Sequence, residues 1–226
     1  MSALLTIALP KGRVLRAVAP LFARAGADIA ALLADDRSLV RESTAAGLRF
    51  LLLKPDDVPT YVEYGAADLG VCGRDVLTER PSDIYQPLDL GVGRCRMVVA
   101  GLVGRPAPAG VPRVGTKYPR TAAEHFARRG VQAEVIYLQG SVELAPLVGL
   151  SDLIVDLVET GATLERNGLE EREEVARVSS VLVVNRAAYK RRHDRVRPLI
   201  EALRPPPPAT REEEAADRVV PGGAGA

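Results

Sequence analysis

Residues 153–164 read Leu-Ile-Val-Asp-Leu-Val-Glu-Thr-Gly-Ala-Thr-Leu, an apolar run closing on Asp156, Glu159 and two threonines around Gly161. These residue types suit a phosphate monoester. Thr160 and Thr163 offer hydroxyl donors, Gly161 and Ala162 leave room for close backbone approach, and free N–H groups at a helix start point toward an anion. Asp156, at the end of a predicted strand, can accept hydrogen bonds from a ribose diol. The same residues also make an ordinary N-capped helix after a strand, with Thr160 as the cap. Residue types alone leave both readings open.

Holding an anion calls for cations, and several stand at the ends of predicted strands. Lys11 and Arg13 follow the first apolar run in Leu9-Pro-Lys-Gly-Arg13, and Lys54 follows Leu48–Leu53. Arg37 sits in the polar segment Asp35-Asp-Arg-Ser38, while Arg96 and Lys117 lie at strand ends in the second half. A strand-to-helix loop of an α/β lobe is where a crevice residue would sit. Asp68 and Asp75 flank the Leu69–Cys72 run and serve equally as helix caps or as ligands for a ribose or magnesium. Glu143 can orient a substrate hydroxyl or act as an acid at a helix start. Each cation taken singly is also an ordinary solvated side chain.

The elements that must position these groups alternate along the chain. Strands are expected at Leu4–Leu9, Leu48–Leu53, Leu69–Cys72, Arg96–Gly101, Ala133–Leu138 and Leu153–Val158, then at Val175–Ser180 and Val181–Val184. Helical periodicity falls at Val14–Ala25, Val58–Tyr64, Ala122–Arg129, Val142–Val148 and Tyr189–Leu203. The alternation predicts an α/β protein with mostly parallel sheets covered on both faces. The rhythm restarts near Gly91, which predicts two lobes: residues 1–90 with 179–204, and residues 91–178 inserted between them. Pro205–Pro208 ends the last helix, and the small, charged residues of 205–226 predict a disordered tail.

Composition narrows the function classes. The 226 residues carry 30 basic and 29 acidic side chains, a net charge of +1, with 47% hydrophobic residues. This balance gives no general pull toward nucleic acid or an anionic membrane, so any anion must be held by local geometry. No apolar run is long enough to span a bilayer, and the first residues read as a strand and not as an export signal. Cys72 and Cys95, in separate elements, suit a reducing compartment, so a cytoplasmic location is expected. His125 and His193 read as surface histidines, which leaves no zinc site or Ser-His-Asp triad to argue for. The run Glu170–Glu174 reads as a solvated loop or edge, and Tyr189–Arg195 as a basic helix face turned to solvent or another subunit.

In combination the motifs are more specific. The stretch from Gly140-Ser-Val-Glu143 through Gly149 to Leu164 resembles the signature of the ATP phosphoribosyltransferase family. Leu9–Arg13, Asp57–Gly70, Gly73-Arg-Asp75 and Thr116-Lys-Tyr118 are similar to that family in the same order, over about residues 4–204. The resemblance implies a two-lobed fold like that of type II periplasmic binding proteins. It implies transfer of the phosphoribosyl group of PRPP to N1 of ATP, releasing pyrophosphate, as the first step of histidine biosynthesis. By resemblance, Asp156 and Glu159–Thr163 hold PRPP, and Lys11, Arg13 and Arg37 handle the pyrophosphate, one arginine reaching across a subunit boundary. Glu143, Lys117, Arg96, Lys54 and Asp75 then bind ATP or orient substrates. Mg2+ is the implied cofactor, carried mainly by substrate phosphates and not by protein ligands. A fold ending near Arg204 is similar to the short form of the family. That form implies a homodimer working with a separate regulatory subunit similar to histidyl-tRNA synthetase. The rivals are a non-enzymatic solute-binding module of the same fold and a phosphoribosyltransferase using another base.

Overall fold

The computed structural model describes residues 4–34, 36–106 and 108–205. The chain opens with β1 (Leu5–Pro10), α1 (Arg13–Arg24), α2 (Ile29–Leu33), β2 (Val40–Ser43) and β3 (Leu48–Leu53). A 3-10 turn at Pro55–Asp57 leads into α3 (Val58–Glu63), β4 (Leu69–Gly73), α4 (Arg74–Glu79) and β5 (Tyr85–Asp89). Next come β6 (Cys95–Leu102), β7 (Arg113–Thr116), α5 (Pro119–Arg128), β8 (Glu134–Tyr137) and α6 (Leu144–Leu147). The chain continues through β9 (Leu153–Val158), α7 (Ala162–Arg166), β10 (Leu169–Val178), β11 (Ser180–Val184), α8 (Arg186–Arg191) and α9 (His193–Leu203).

Two sheets organise these elements, one per lobe. The first runs β2-β3-β1-β4-β11-β5 and the second β10-β6-β9-β7-β8. Both are mixed, which corrects the expectation of mostly parallel pairing. Parallel pairs join β1 to β3 and β4, and β7 to β8 and β9. The flanking strands β2, β5, β6, β10 and β11 all pair antiparallel. The reason is connectivity: β2 returns to β3 through a short turn, and β11 and β6 are strands on which the chain crosses between sheets. Only strands joined by a helical crossover need run parallel.

Strand alternation divides the core. In β1, Leu5, Ile7 and Leu9 pack with α1 and α9, while Ala8 faces α3. Phe22 of α1 meets Phe50 of β3 edge to face at 5.4 Å, both essentially inaccessible to solvent. In the second lobe Met97 and Val99 of β6 pack with α5, and Val98 and Ala100 face α6 and α7. The last helix buries Val196, Leu199, Ile200 and Leu203 in the cluster of the first lobe.

Three local expectations change. Tyr189–Leu203 is two helices, broken where Arg192 turns inward to donate to Asp68 Oδ2 at 2.6 Å and to the Leu4 carbonyl at 3.1 Å. That inward turn also takes Arg192 out of the basic surface face. Glu170–Glu174 takes the edge reading of its two: it belongs to β10, an edge strand with register shifts after Glu171 and Glu174. His125 is buried, 7% exposed, in α5 beside Glu173, because its ring fills the apolar seam next to Phe126. Elements α2, β2, α4 and β5 were not foreseen. Of the proposed tail only Pro205 lies within the described residues. Cys72 is buried and Cys95 half-buried, and neither is disulfide-bonded. Among the described residues no helix is long and apolar enough to cross a membrane.

The chain passes between the sheets twice, at 90–94 and at 179. Leu90 N donates to the Ser180 carbonyl and Ser180 N to the Val92 carbonyl, both at 2.9 Å, so the two crossings are stitched side by side. Gly91 and Gly93 take φ of +66° and +62° there, values that side-chain-bearing residues rarely adopt. The Phe22–Phe50 contact gives a direct stability prediction. Phe22→Ala should cost about 3–5 kcal/mol through lost burial and a residual cavity, read from urea unfolding followed by circular dichroism.

Candidate active site

β9 lies between β6 and β7 in the second sheet, and the residues at its C-terminal end share a cavity with Arg13 of the first lobe. Asp156 comes two residues before its end. The chain then turns through Glu159 and Thr160 to Gly161, at φ +86°, a left-handed conformation that favours glycine. Ala162 N donates to Thr160 Oγ1 at 3.4 Å, and Leu164 buries into the lobe core and anchors α7. Thr160, Ala162 and Thr163 are exposed, which leaves their hydroxyls and amides available to a ligand. The run starts a helix with Gly161, and not Thr160, at its N-cap, and it lines a cavity.

That cavity, of about 200 Å³, is bounded by Asp156 to Leu164, Glu143 and, from the opposite lobe, Arg13. Arg13 begins α1 just after Gly12, whose φ of +87° and ψ of −137° lie outside the usual L-residue regions. Its guanidinium pairs with the Glu159 carboxylate across the crevice. A second cavity of about 330 Å³ adjoins it, lined by Arg13, Asp75, Lys117, Tyr118 and Cys95 among others. A third, about 590 Å³, lies against the crossings with Arg74, Arg94, Arg96 and Arg177 on its walls. Glu159 borders all three.

Several bonds span the lobes. Lys117 Nζ reaches Asp56 Oδ2 at 2.8 Å, and Tyr118 Oη donates to Asp75 Oδ2 at 2.9 Å. Thr116 Oγ1 donates to the Val155 carbonyl at 2.6 Å and accepts from Tyr118 N at 2.9 Å, which ties this turn to β9. Gly73 is required beside Asp75: a Cβ there would stand 2.0 Å from Asp75 Oδ1.

Burial dominates the electrostatics. It pushes the Asp156 carboxyl up to about 6, with Glu143 adding to the rise, against a backbone hydrogen bond from Leu157 and the Lys117 charge. Burial likewise raises Asp75, partly offset by the Tyr118 hydroxyl, and raises the Tyr118 phenol with Asp75 contributing. Arg96 is held by a two-pronged pair to Glu171 at 2.5 and 2.8 Å. Two charged or hydrogen-bonded prongs of this kind fix a guanidinium in orientation as well as in place.

The fold thus brings together Arg13, Glu143, Asp156 and Glu159 through Thr163, with Asp75 and Lys117 in the adjoining cavity and Arg96 in the third. Lys11, Lys54 and Arg37 are exposed and border none of these three cavities. Lys11 N is bonded to the Leu53 carbonyl at 2.9 Å, and Arg37 lies beside the outer edge strand β2, away from the crevice of its own chain. Sequence reasoning missed Asp56, Glu79 and Arg94. Asp56 and Glu79 bond residues 61 and 41–42 positions away, and no local spacing signals such pairs.

The model of the HisG family, ATP phosphoribosyltransferase, matches residues 54–205. An ATP phosphoribosyltransferase of Sorangium cellulosum is 62% identical over 200 residues, covering 88% of this chain and 94% of its own length. This chain belongs to the ATP phosphoribosyltransferase family. Its reaction joins PRPP and ATP to phosphoribosyl-ATP, the first step of histidine biosynthesis. A further ATP phosphoribosyltransferase, from Anaeromyxobacter sp. strain K, is 54% identical over 206 residues, covering 90% of this chain and 93% of its own. The solved ATP phosphoribosyl transferase (HisG:HisZ) complex from Thermotoga maritima includes a chain with TM-score 0.77 and 38% identity. The match covers 88% of this chain and 96% of that one. A substrate-binding protein of an amino acid ABC transporter matches at TM-score 0.57 and 12% identity, over 88% and 91%. That likeness concerns the fold alone, and the fold is the two-lobed one of periplasmic binding proteins.

The raised Asp156 pKa sets a pH dependence. Below about 6 the carboxyl carries its proton and is a weaker hydrogen-bond acceptor; above it the carboxylate forms. The kcat/KM for PRPP should therefore rise through pH 6, since that ratio reports the free enzyme. The step should vanish in Asp156→Asn, as read from initial rates between pH 5 and 8. The sign for stability is the opposite: an Asp pKa above its unfolded value favours the fold at low pH, and that contribution is lost as pH rises to about 6.

Proposed function

We propose that the 156–163 loop holds the 5-phosphate and ribose of PRPP, while Arg13 takes the departing pyrophosphate. The observation that carries this reading is the cavity in which the loop's exposed hydroxyls and amides face Arg13 from the opposite lobe. Asp156 accepts from the ribose diol; Thr160, Gly161, Ala162 and Thr163 bind the phosphate. In the free protein the Glu159 carboxylate sits on the Arg13 fork where a phosphate oxygen would go, so PRPP exchanges one anion for another. Lys11 supplements Arg13, and Arg37, remote from its own crevice, serves that of a second copy in a homodimer. Lys117, Asp75 and Glu143 orient ATP in the adjoining cavity, with Arg96 and Lys54 supplying charge nearby.

The reaction is then a direct displacement. The adenine N1 lone pair attacks C1 of the ribose, the C1–N1 bond forms, and the C1–O bond breaks with its electrons leaving on pyrophosphate. No enzyme nucleophile takes part. The protein contributes alignment of two polyanions and fixed charge where the leaving group develops its own. The two lobes, residues 1–90 with 179–204 and residues 91–178, turn about the stitched crossings to admit and enclose both substrates.

Magnesium fits this site by way of its ligands' phosphates. Asp156 and Glu143 are hard oxygen donors in one cavity, yet among the described residues no group of three or more His, Cys, Asp or Glu is placed to hold an ion. Mg2+ commonly takes one or two carboxylates together with substrate phosphates. Bound so, it would neutralise pyrophosphate charge. Likeness to a chain of the HisG:HisZ complex supports a separate regulatory subunit; that this subunit is similar to histidyl-tRNA synthetase, and that the chain is cytoplasmic, belong to the same proposal.

Pyrophosphate release from the purified chain given PRPP, ATP and Mg2+, with and without the regulatory subunit, tests the reading. Release is expected only when ATP and PRPP are both present, and its absence both with and without the regulatory subunit overturns the proposal. Thr163→Ala should raise the KM for PRPP by about tenfold or more, the scale of one hydrogen bond to a charged group, with little change in the KM for ATP. Arg13→Ala should lower kcat by about 100-fold, as expected for loss of a group that stabilises transition-state charge.

A further inference from the structure

Helix α5 has ten residues and no cap of its own. Tyr118 stands at its N-cap position without a side-chain capping bond, and Pro119 follows. Its free amides are met from the other lobe. Glu79, the last residue of α4, accepts from Arg120 N at 2.8 Å through Oε1, and from Thr121 N at 2.9 Å and Thr121 Oγ1 at 2.8 Å through Oε2. A carboxylate at a helix N-terminus satisfies orphan donors and complements the helix dipole. The cap therefore forms only when the lobes are together. The same turn supplies the Lys117–Asp56 and Tyr118–Asp75 bonds. Four of the five residues 117–121 thus bond across the crevice, and Lys117 and Tyr118 line its central cavity.

We propose that Glu79 is a positioning residue for phosphoribosyl transfer: by capping α5 across the crevice it holds the lobes closed and seats Lys117 and Tyr118 against the substrates. Glu79 borders none of the three cavities described and touches no substrate. Its contribution is to the population of the closed state. When only that state binds ligand, apparent affinity scales with its population, while saturating substrate restores it. Loss of the cap should therefore weaken both substrates together and leave turnover at saturation intact. This inference rests on the crevice being the substrate site.

The test is initial-rate kinetics of the full chain, in the assembly in which it is active, paired with small-angle scattering of the free protein. Glu79→Ala should raise the KM for PRPP and for ATP by about tenfold each, with kcat within about twofold of the parent. The radius of gyration of the free variant should increase, and adding PRPP and ATP should bring it back to the parent value. The near-isosteric Glu79→Gln, which keeps an acceptor and loses the charge, should fall between the two, and it carries the test should the alanine variant fail to fold. A cap that only stabilises α5 would instead lower Tm and kcat with both KM values unchanged, and that result overturns the proposal. So would unchanged kinetics and an unchanged radius. If the parent chain itself shows no turnover, the assigned chemistry of the crevice fails, while the scattering comparison still decides whether Glu79 holds the lobes together.

Discussion

The arrangement turns on the pairing of Arg13 with Glu159, the point where the first strand–helix loop of one lobe meets the 156–164 loop of the other. Their side chains are 79% and 46% exposed, and ion pairs so placed do little for stability. The pair matters for where it stands. Glu159 borders the three cavities described above, and Arg13 is delivered there by β1, whose buried side chains fix where the loop emerges. A carboxylate resting on a guanidinium can be exchanged for a phosphate at modest cost, because the arginine fork receives either anion. In this reading the free protein keeps its principal cation occupied and oriented until substrate arrives.

The same logic extends to the rest of the crevice. With a net charge of +1, the chain cannot draw polyanions by its overall field. Its crevice cations are instead held individually, Lys117 by Asp56 and Arg96 by Glu171, in geometries that a correctly shaped ligand can use. Burial holds the Asp156 and Asp75 carboxyls above the usual carboxylate range, Asp156 at about 6. The lobes are joined by hydrogen bonds and exposed ion pairs, with separate apolar clusters for the two sheets. An interface of this kind opens and closes more readily than one sealed by shared core.

Much of the framework was legible because it is written in continuous apolar runs. Strands β3 and β9 match their expected limits, and β1 and β4 do so within a residue, since each is a mostly apolar run in which at least every second side chain is buried or half-buried. The short polar elements were not legible. β2 alternates exposed and buried over four residues, and β5 buries only Leu88, so neither carries a run to detect. The break at Arg192 depends on a bond to Asp68, 124 positions away, and a helix-period pattern passes straight through it. The site divides in the same way. Asp156 to Thr163 was readable as a local motif, and Arg13 through its loop. The cross-lobe partners Asp56 and Glu79 were not, nor was Arg94 on the cavity walls at the crossing, because folding alone places them.

Amide hydrogen exchange with PRPP, without ATP, tests most directly whether the 156–164 run is the PRPP site. Binding there should slow exchange of the amides from Leu157 to Leu164 in proportion to ligand occupancy. The effect should be lost in Thr163→Ala at the PRPP concentration that half-saturates the parent. Protection confined to other segments, with this run exchanging as in the free protein, would contradict the account.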